Sequence, residues 1–108
     1  MNINNIQIKK VNIALVGYYQ LFRKGIELIL QKNQFITVVR NGKDFSILKD
    51  IPHHATVDIL LLDTNNFLIE LREKEKMIKQ TDTKIILLSS VIEDEYVRQA
   101  IRIGVHGY

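Results

Sequence analysis

The sequence predicts an α/β protein, a parallel sheet with helices on both faces. Three observations carry this. Four short apolar runs, each bounded by turn or polar residues, alternate with stretches whose apolar residues recur at helical spacing. The apolar runs are too continuous for a half-exposed antiparallel sheet and read as strands buried on both sides. No repeat, linker or low-complexity segment interrupts the alternation across 108 residues, a length that fits one domain.

The elements follow in order. "VNIALV", Val11 to Val16, is the first strand and stops at a glycine. In "QLFRKGIELILQK", Phe22, Gly25, Ile26, Ile29 and Leu30 form one helical stripe, with Gly25 placed to let the helix sit close to the sheet. "FITVV", Phe35 to Val39, is a second strand closed by the turn pair Asn41-Gly42. Phe45, Leu48 and Ile51 then share one face of a short helix that Pro52 stops. "DILLLD", Asp58 to Asp63, is the strongest strand signal and belongs in the middle of the sheet. After it, Leu68, Leu71 and Ile78 recur at helical spacing. "KIILLSS", Lys84 to Ser90, is a fourth strand. Ser90 and Glu93 make a capping box for a helix with the stripe Tyr96, Val97, Ala100 and Ile101, closed by Gly104. The final "HGY" reads as the start of a fifth strand.

Composition narrows the chemistry. Fifteen Lys and Arg against twelve Asp and Glu give +3, but the basic residues are scattered and "LREKEKMIK" mixes both signs, so a nucleic-acid surface is not indicated. The absence of cysteine excludes disulfides, thiolate zinc sites and cysteine nucleophiles. Residues 1–10 form a polar extension without the apolar core of a signal peptide, and no apolar run approaches the ~20 residues that span a bilayer. A cytoplasmic location is expected.

Parallel sheets of this kind bind ligands at the carboxyl ends of their strands, which directs attention to Gly17 to Tyr19, Asp63 to Asn65, Ser89, Ser90 and Tyr108. Neither the G-x-G-x-x-G spacing nor a P-loop is present. A triad of Ser89, His106 and Asp63 lacks the G-x-S-x-G elbow, so no enzyme is expected. His53, His54 and His106 read as solvent-facing, since no further His or Cys lies near enough in sequence to complete a metal site. Asp63 stands apart. A carboxylate that ends a buried strand is costly unless it pairs, binds a cation or meets solvent. It is either a cap for the next helix or a nucleophile and metal ligand.

Four stretches, "LFRKGIELIL", "VDILLLD", "KIILLSS" and "EDEYVRQAIRIGVHGY", together resemble a bacterial response-regulator receiver domain of the two-component systems, in the subgroup with a LuxR-type helix-turn-helix output. The resemblance implies a flavodoxin-like doubly wound sheet, with residues 1–108 a receiver that ends before its last helix. It implies that Asp63 is the phosphoacceptor for a histidine kinase and that the backbone carbonyl of Asn65 helps hold Mg²⁺. Ser89 and Tyr108 are the implied switch residues, and the family's lysine would fall just beyond Tyr108. DNA binding would belong to an output domain outside this chain. A homodimer through Glu93 to Ile103 is a further expectation.

The resemblance breaks at the metal site. Where the family has two neighbouring acids after its first strand, this chain has Gly17 and Tyr18. Tyr19 and Gln20 replace a His-Pro pair, and Phe67 stands at a proline position. Mg²⁺ needs near-octahedral oxygen donors, and neither Gly17 nor Tyr18 supplies a carboxylate. The expectation is a degenerate receiver that signals without phosphorylation and without a cofactor. Two alternatives remain. One is a working phosphoacceptor with Mg²⁺ held partly by Glu93 or Asp94; the other is a small-molecule sensor or dimerisation module with Tyr18 and Tyr19 lining the former ion pocket. Gly17→Asp with Tyr18→Asp is expected to restore Mg²⁺ binding if only ligands were lost.

Overall fold

The computed structural model describes residues 10–48, 56–63, 82–88 and 94–108. The chain forms strand β1 (Val11–Gly17), helix α1 (Gln20–Leu30), strand β2 (Ile36–Gly42), a single 3-10 turn (Phe45–Leu48), strands β3 (Ile59–Asp63) and β4 (Lys84–Leu88), and helix α2 (Asp94–Ile103). All strand pairs are parallel, in the order β2-β1-β3-β4. The chain steps outward from β1 to β2 and then crosses to the other side of β1 for β3. That reversal leaves a crevice at the carboxyl ends of β1 and β3, the position where sheets of this topology place their sites.

Alternation along the strands divides the core into two layers. On one face Ala14, Val16, Leu60, Leu62, Ile85 and Leu87 pack with Phe45 and with Ala100, Ile103 and Val105 from α2 and its exit. On the other, Ile13, Leu15 and Leu61 pack with Ile26 and Leu30 of α1 and with the half-buried Ile59, Ile86 and Leu88. Leu15, Leu62, Ile85 and Leu87 are almost wholly buried, each worth about 1.5–3 kcal/mol relative to exposure. They anchor β1, β3 and β4.

Several elements differ from expectation. Strand β2 runs through Asn41 and Gly42 instead of turning there, because Leu15 and Val16 pair with them after a bulge that skips Val39. In α1 the expected stripe is only half used: Ile26 and Leu30 face the sheet, while Phe22 and Ile29 are 49% and 67% exposed. Gly25 is not a close-packing position, since a Cβ there would meet nothing within 4 Å. It lines an apolar groove with Tyr19, Leu21, Phe22, Ile26 and Ile29. In α2 the inward face is Tyr96, Ala100 and Ile103, and Ile101 points outward. The predicted helix after β2 is a 3-10 turn over Phe45 to Leu48, and Ile51 and Pro52 lie outside the described residues.

Helix α2 ends in a Schellman motif. Gly104, at φ 120°, donates its N–H to the Ile101 carbonyl at 3.1 Å, and Val105 donates to Ala100 at 3.1 Å. The chain then returns to the sheet. Leu87 donates to the Gly107 carbonyl at 3.0 Å and Gly107 bridges Ile86 in parallel, so the expected fifth strand begins here. His106 is exposed, as expected, but not idle: its Nδ1 accepts the Ile85 N–H at 3.1 Å. No helix among the described residues is long and apolar enough to cross a membrane.

Candidate functional site at the carboxyl ends of the strands

Gly17, Asp63 and Leu88 lie side by side at the ends of β1, β3 and β4. Gly17 is where the backbones approach most closely. A Cβ on it would stand 2.9 Å from the Asp63 carbonyl oxygen, 3.0 Å from the Asp63 Cβ and 3.3 Å from Oδ2. Only glycine fits without a strand shift. Gly17→Asp is therefore not the simple restoration expected from sequence, because the new carboxylate would enter space that Asp63 already fills.

Asp63 is only partly covered, yet its Oδ2 is buried and accepts no hydrogen bond among the described residues. Burial pushes its carboxyl above the ordinary 3.8, and the positive charge of Arg23 pulls partly back. Its expected alternative role, capping the next helix, falls on residues outside the described set.

Arg23 is the residue that sequence reading missed. It lies in the second half of the first turn of α1, which starts from Tyr19 without a side-chain cap or an acidic residue. Its Nη1 donates to the Gly17 carbonyl, and its Nε donates to Asn41 Oδ1 at 2.7 Å. Asn41 in turn donates to Glu27 of α1. The guanidinium is thus clamped between β1, β2 and its own helix, on the carbonyl of the residue that pairs with Asp63. The signal was present in "LFRKG", but a cation on a helix stripe gives no hint that it turns back over the preceding strand.

The other expected site residues divide clearly. Tyr18 and Tyr19 are 54% and 74% exposed, and Tyr19 lines the groove on α1 rather than the crevice. Tyr108 stacks edge to face on Tyr96, with ring centroids 6.2 Å apart at 67°. Burial and the nearby Tyr108 raise the Tyr96 hydroxyl above its ordinary pKa. Asp94 is exposed in the first turn of α2. Asn65, Phe67, Ser89, Ser90, Glu93 and the His53-His54 pair lie outside the described residues. Among the described residues no group of three His, Cys, Asp or Glu comes together that could hold a metal ion.

Known proteins share the sequence pattern and the fold. The chain is 30% identical over 106 residues to the Fimbriae Z protein of Salmonella typhimurium, a match covering 94% of this chain and 49% of that protein. It is 28% identical over 101 residues to the transcriptional regulatory protein DegU of Brevibacillus brevis, covering 92% and 43%. Its fold matches the signal receiver domain of the response regulator NarL from Mycobacterium tuberculosis, with a TM-score of 0.75 and 25% identity over 92% of this chain and 82% of that one. No family model matches. The chain spans about half the length of the curated relatives it matches. Through these relatives and the shared doubly wound sheet, the chain is similar to the receiver domains of response regulators.

Proposed function

We propose that this domain is a degenerate receiver, which passes a signal to an output domain by protein contacts without Mg²⁺-dependent phosphorylation of Asp63. One observation carries the reading. The two positions where the family keeps acids are a glycine closed against Asp63 and a tyrosine, so the described crevice offers one carboxylate. Phosphoryl transfer relies on cations to position the group and neutralise its charge, and Mg²⁺ demands a nearly complete oxygen shell. One carboxylate with backbone carbonyls falls short of that.

The parent protein is then a cytoplasmic transcriptional regulator. DNA would be bound by the output domain and not by this one, and no catalytic role is assigned to the domain itself. A working phosphoacceptor has one observation in its favour, the unbonded Oδ2 of Asp63. Incubation with acetyl phosphate or phosphoramidate and Mg²⁺, followed by intact mass, decides between the two. The expected result is no adduct. A phosphoryl group on wild type that is absent from Asp63→Asn would overturn the degenerate reading.

A further inference from the structure

We propose that His106 is an acid-sensitive latch: with its imidazole neutral it ties the chain leaving α2 to the edge of β4, and on protonation it loosens that edge and the seat of Tyr108. The proposal goes beyond the degenerate reading and does not depend on it, since a phosphoryl group on Asp63 would leave the latch in place. It starts from an edge donor. Ile85 is 1% exposed, and its carbonyl accepts from the His106 N–H at 2.8 Å and the Gly107 N–H at 3.2 Å. A strand residue points its N–H and C=O to the same side, so the Ile85 N–H also faces the returning chain. A parallel ladder would send that N–H to the carbonyl of Val105, one rung below the bridge between Ile86 and Gly107. Val105 is still held in the turn that ends α2 by its bond to Ala100, and the imidazole Nδ1 accepts from Ile85 at 3.1 Å instead. A side chain thus completes the ladder where the backbone has not yet reached the sheet.

That acceptor does not survive protonation. Imidazolium carries hydrogen on both nitrogens, so Nδ1 becomes a second donor facing the Ile85 N–H. The contact is lost, and the exposed residue can turn into solvent. Three backbone bonds then remain between β4 and the returning chain, those of His106, Gly107 and Leu87. Tyr108, two residues past the latch, rests edge to face on Tyr96 with ring centroids 6.2 Å apart, so loosening the edge disturbs that ring. The charged residues on the elements that meet here are Lys84 in β4, with Asp82 just before it, and Asp94, Glu95, Arg98 and Arg102 along α2; all are exposed. Histidine is the side chain whose ordinary titration falls between pH 5 and 8. His53 and His54 carry the same ring, so variants of His106 are needed to assign a response to it.

The test is hydrogen exchange at the Ile85 amide of the ¹⁵N-labelled chain, expressed as protection relative to an unstructured peptide across pH 5 to 8, with the Tyr108 ring resonances followed in the same samples. Wild-type protection at Ile85 should fall about five- to tenfold from pH 8 to pH 5, as the loss of one hydrogen bond requires. His106→Asn, whose Oδ1 can accept from the same place without titrating, should remove the pH dependence, and His106→Ala should be poorly protected throughout. Wild-type protection that does not change with pH would overturn the proposal. So would a full pH response in His106→Asn, which would assign the effect to another group. If His106→Ala does not fold, the comparison of wild type with His106→Asn still decides. A Tyr108 ring that does not follow the Ile85 amide would overturn the coupling to Tyr108.

Discussion

At the residue scale, the pair Gly17 and Asp63 sets the behaviour of the site. A methyl on Gly17 would press on the Asp63 carbonyl at 2.9 Å, so Gly17→Ala should lower stability by about 1–3 kcal/mol, measured by urea unfolding. Asp63 should give the opposite sign. Its carboxyl is raised above 3.8 by burial, so ionisation is harder in the folded state than in the unfolded one. Its ionisation therefore removes stability as pH rises from 3.8 through the raised native value. Asp63→Asn, which cannot ionise, should be more stable than wild type at neutral pH, and the advantage should vanish below 3.8. Unfolding midpoints across pH 3 to 8 check this; a difference that does not depend on pH would refute it.

At the element scale, α1 shows how a stripe is divided by what lies beneath it. Ile26 packs against Ile13, Leu15 and Leu61, whereas Ile29, three residues on, is largely exposed. Ile26→Ala should therefore cost about 2 kcal/mol or more, and Ile29→Ala within about 0.5 kcal/mol, both by chemical denaturation. Equal costs would mean that the outer face is also covered in solution. The sequence alone could not separate these residues, because both belong to one amphipathic pattern and periodicity does not say how wide the facing surface is. Asn41-Gly42 was misleading for a related reason. The pair has turn chemistry, but pairing with Leu15 and Val16 and the bond from Arg23 hold it in a strand.

At the scale of the whole molecule, the β2-β1-β3-β4 order brings residues from distant parts of the chain to one edge. Gly17 and Asp63 are far apart in sequence and adjacent in the sheet. Tyr108 and Tyr96 are likewise joined only because the Schellman turn at Gly104 sends the chain back along β4. The fold was legible in "VNIALV", "DILLLD" and "KIILLSS", since buried parallel strands impose continuous apolar runs and their crossovers impose helical spacing. Asp63 was legible too, as a charge that ends such a run. So was the absence of a carboxylate at Gly17 and Tyr18. Tertiary structure alone decided that Gly17 leaves no room for a replacement side chain, that Arg23 turns back over β1, and that Asn41 holds it there. Those facts depend on the distance between strands and on side chains meeting across three elements, and neither quantity is written in the spacing of residues along one chain.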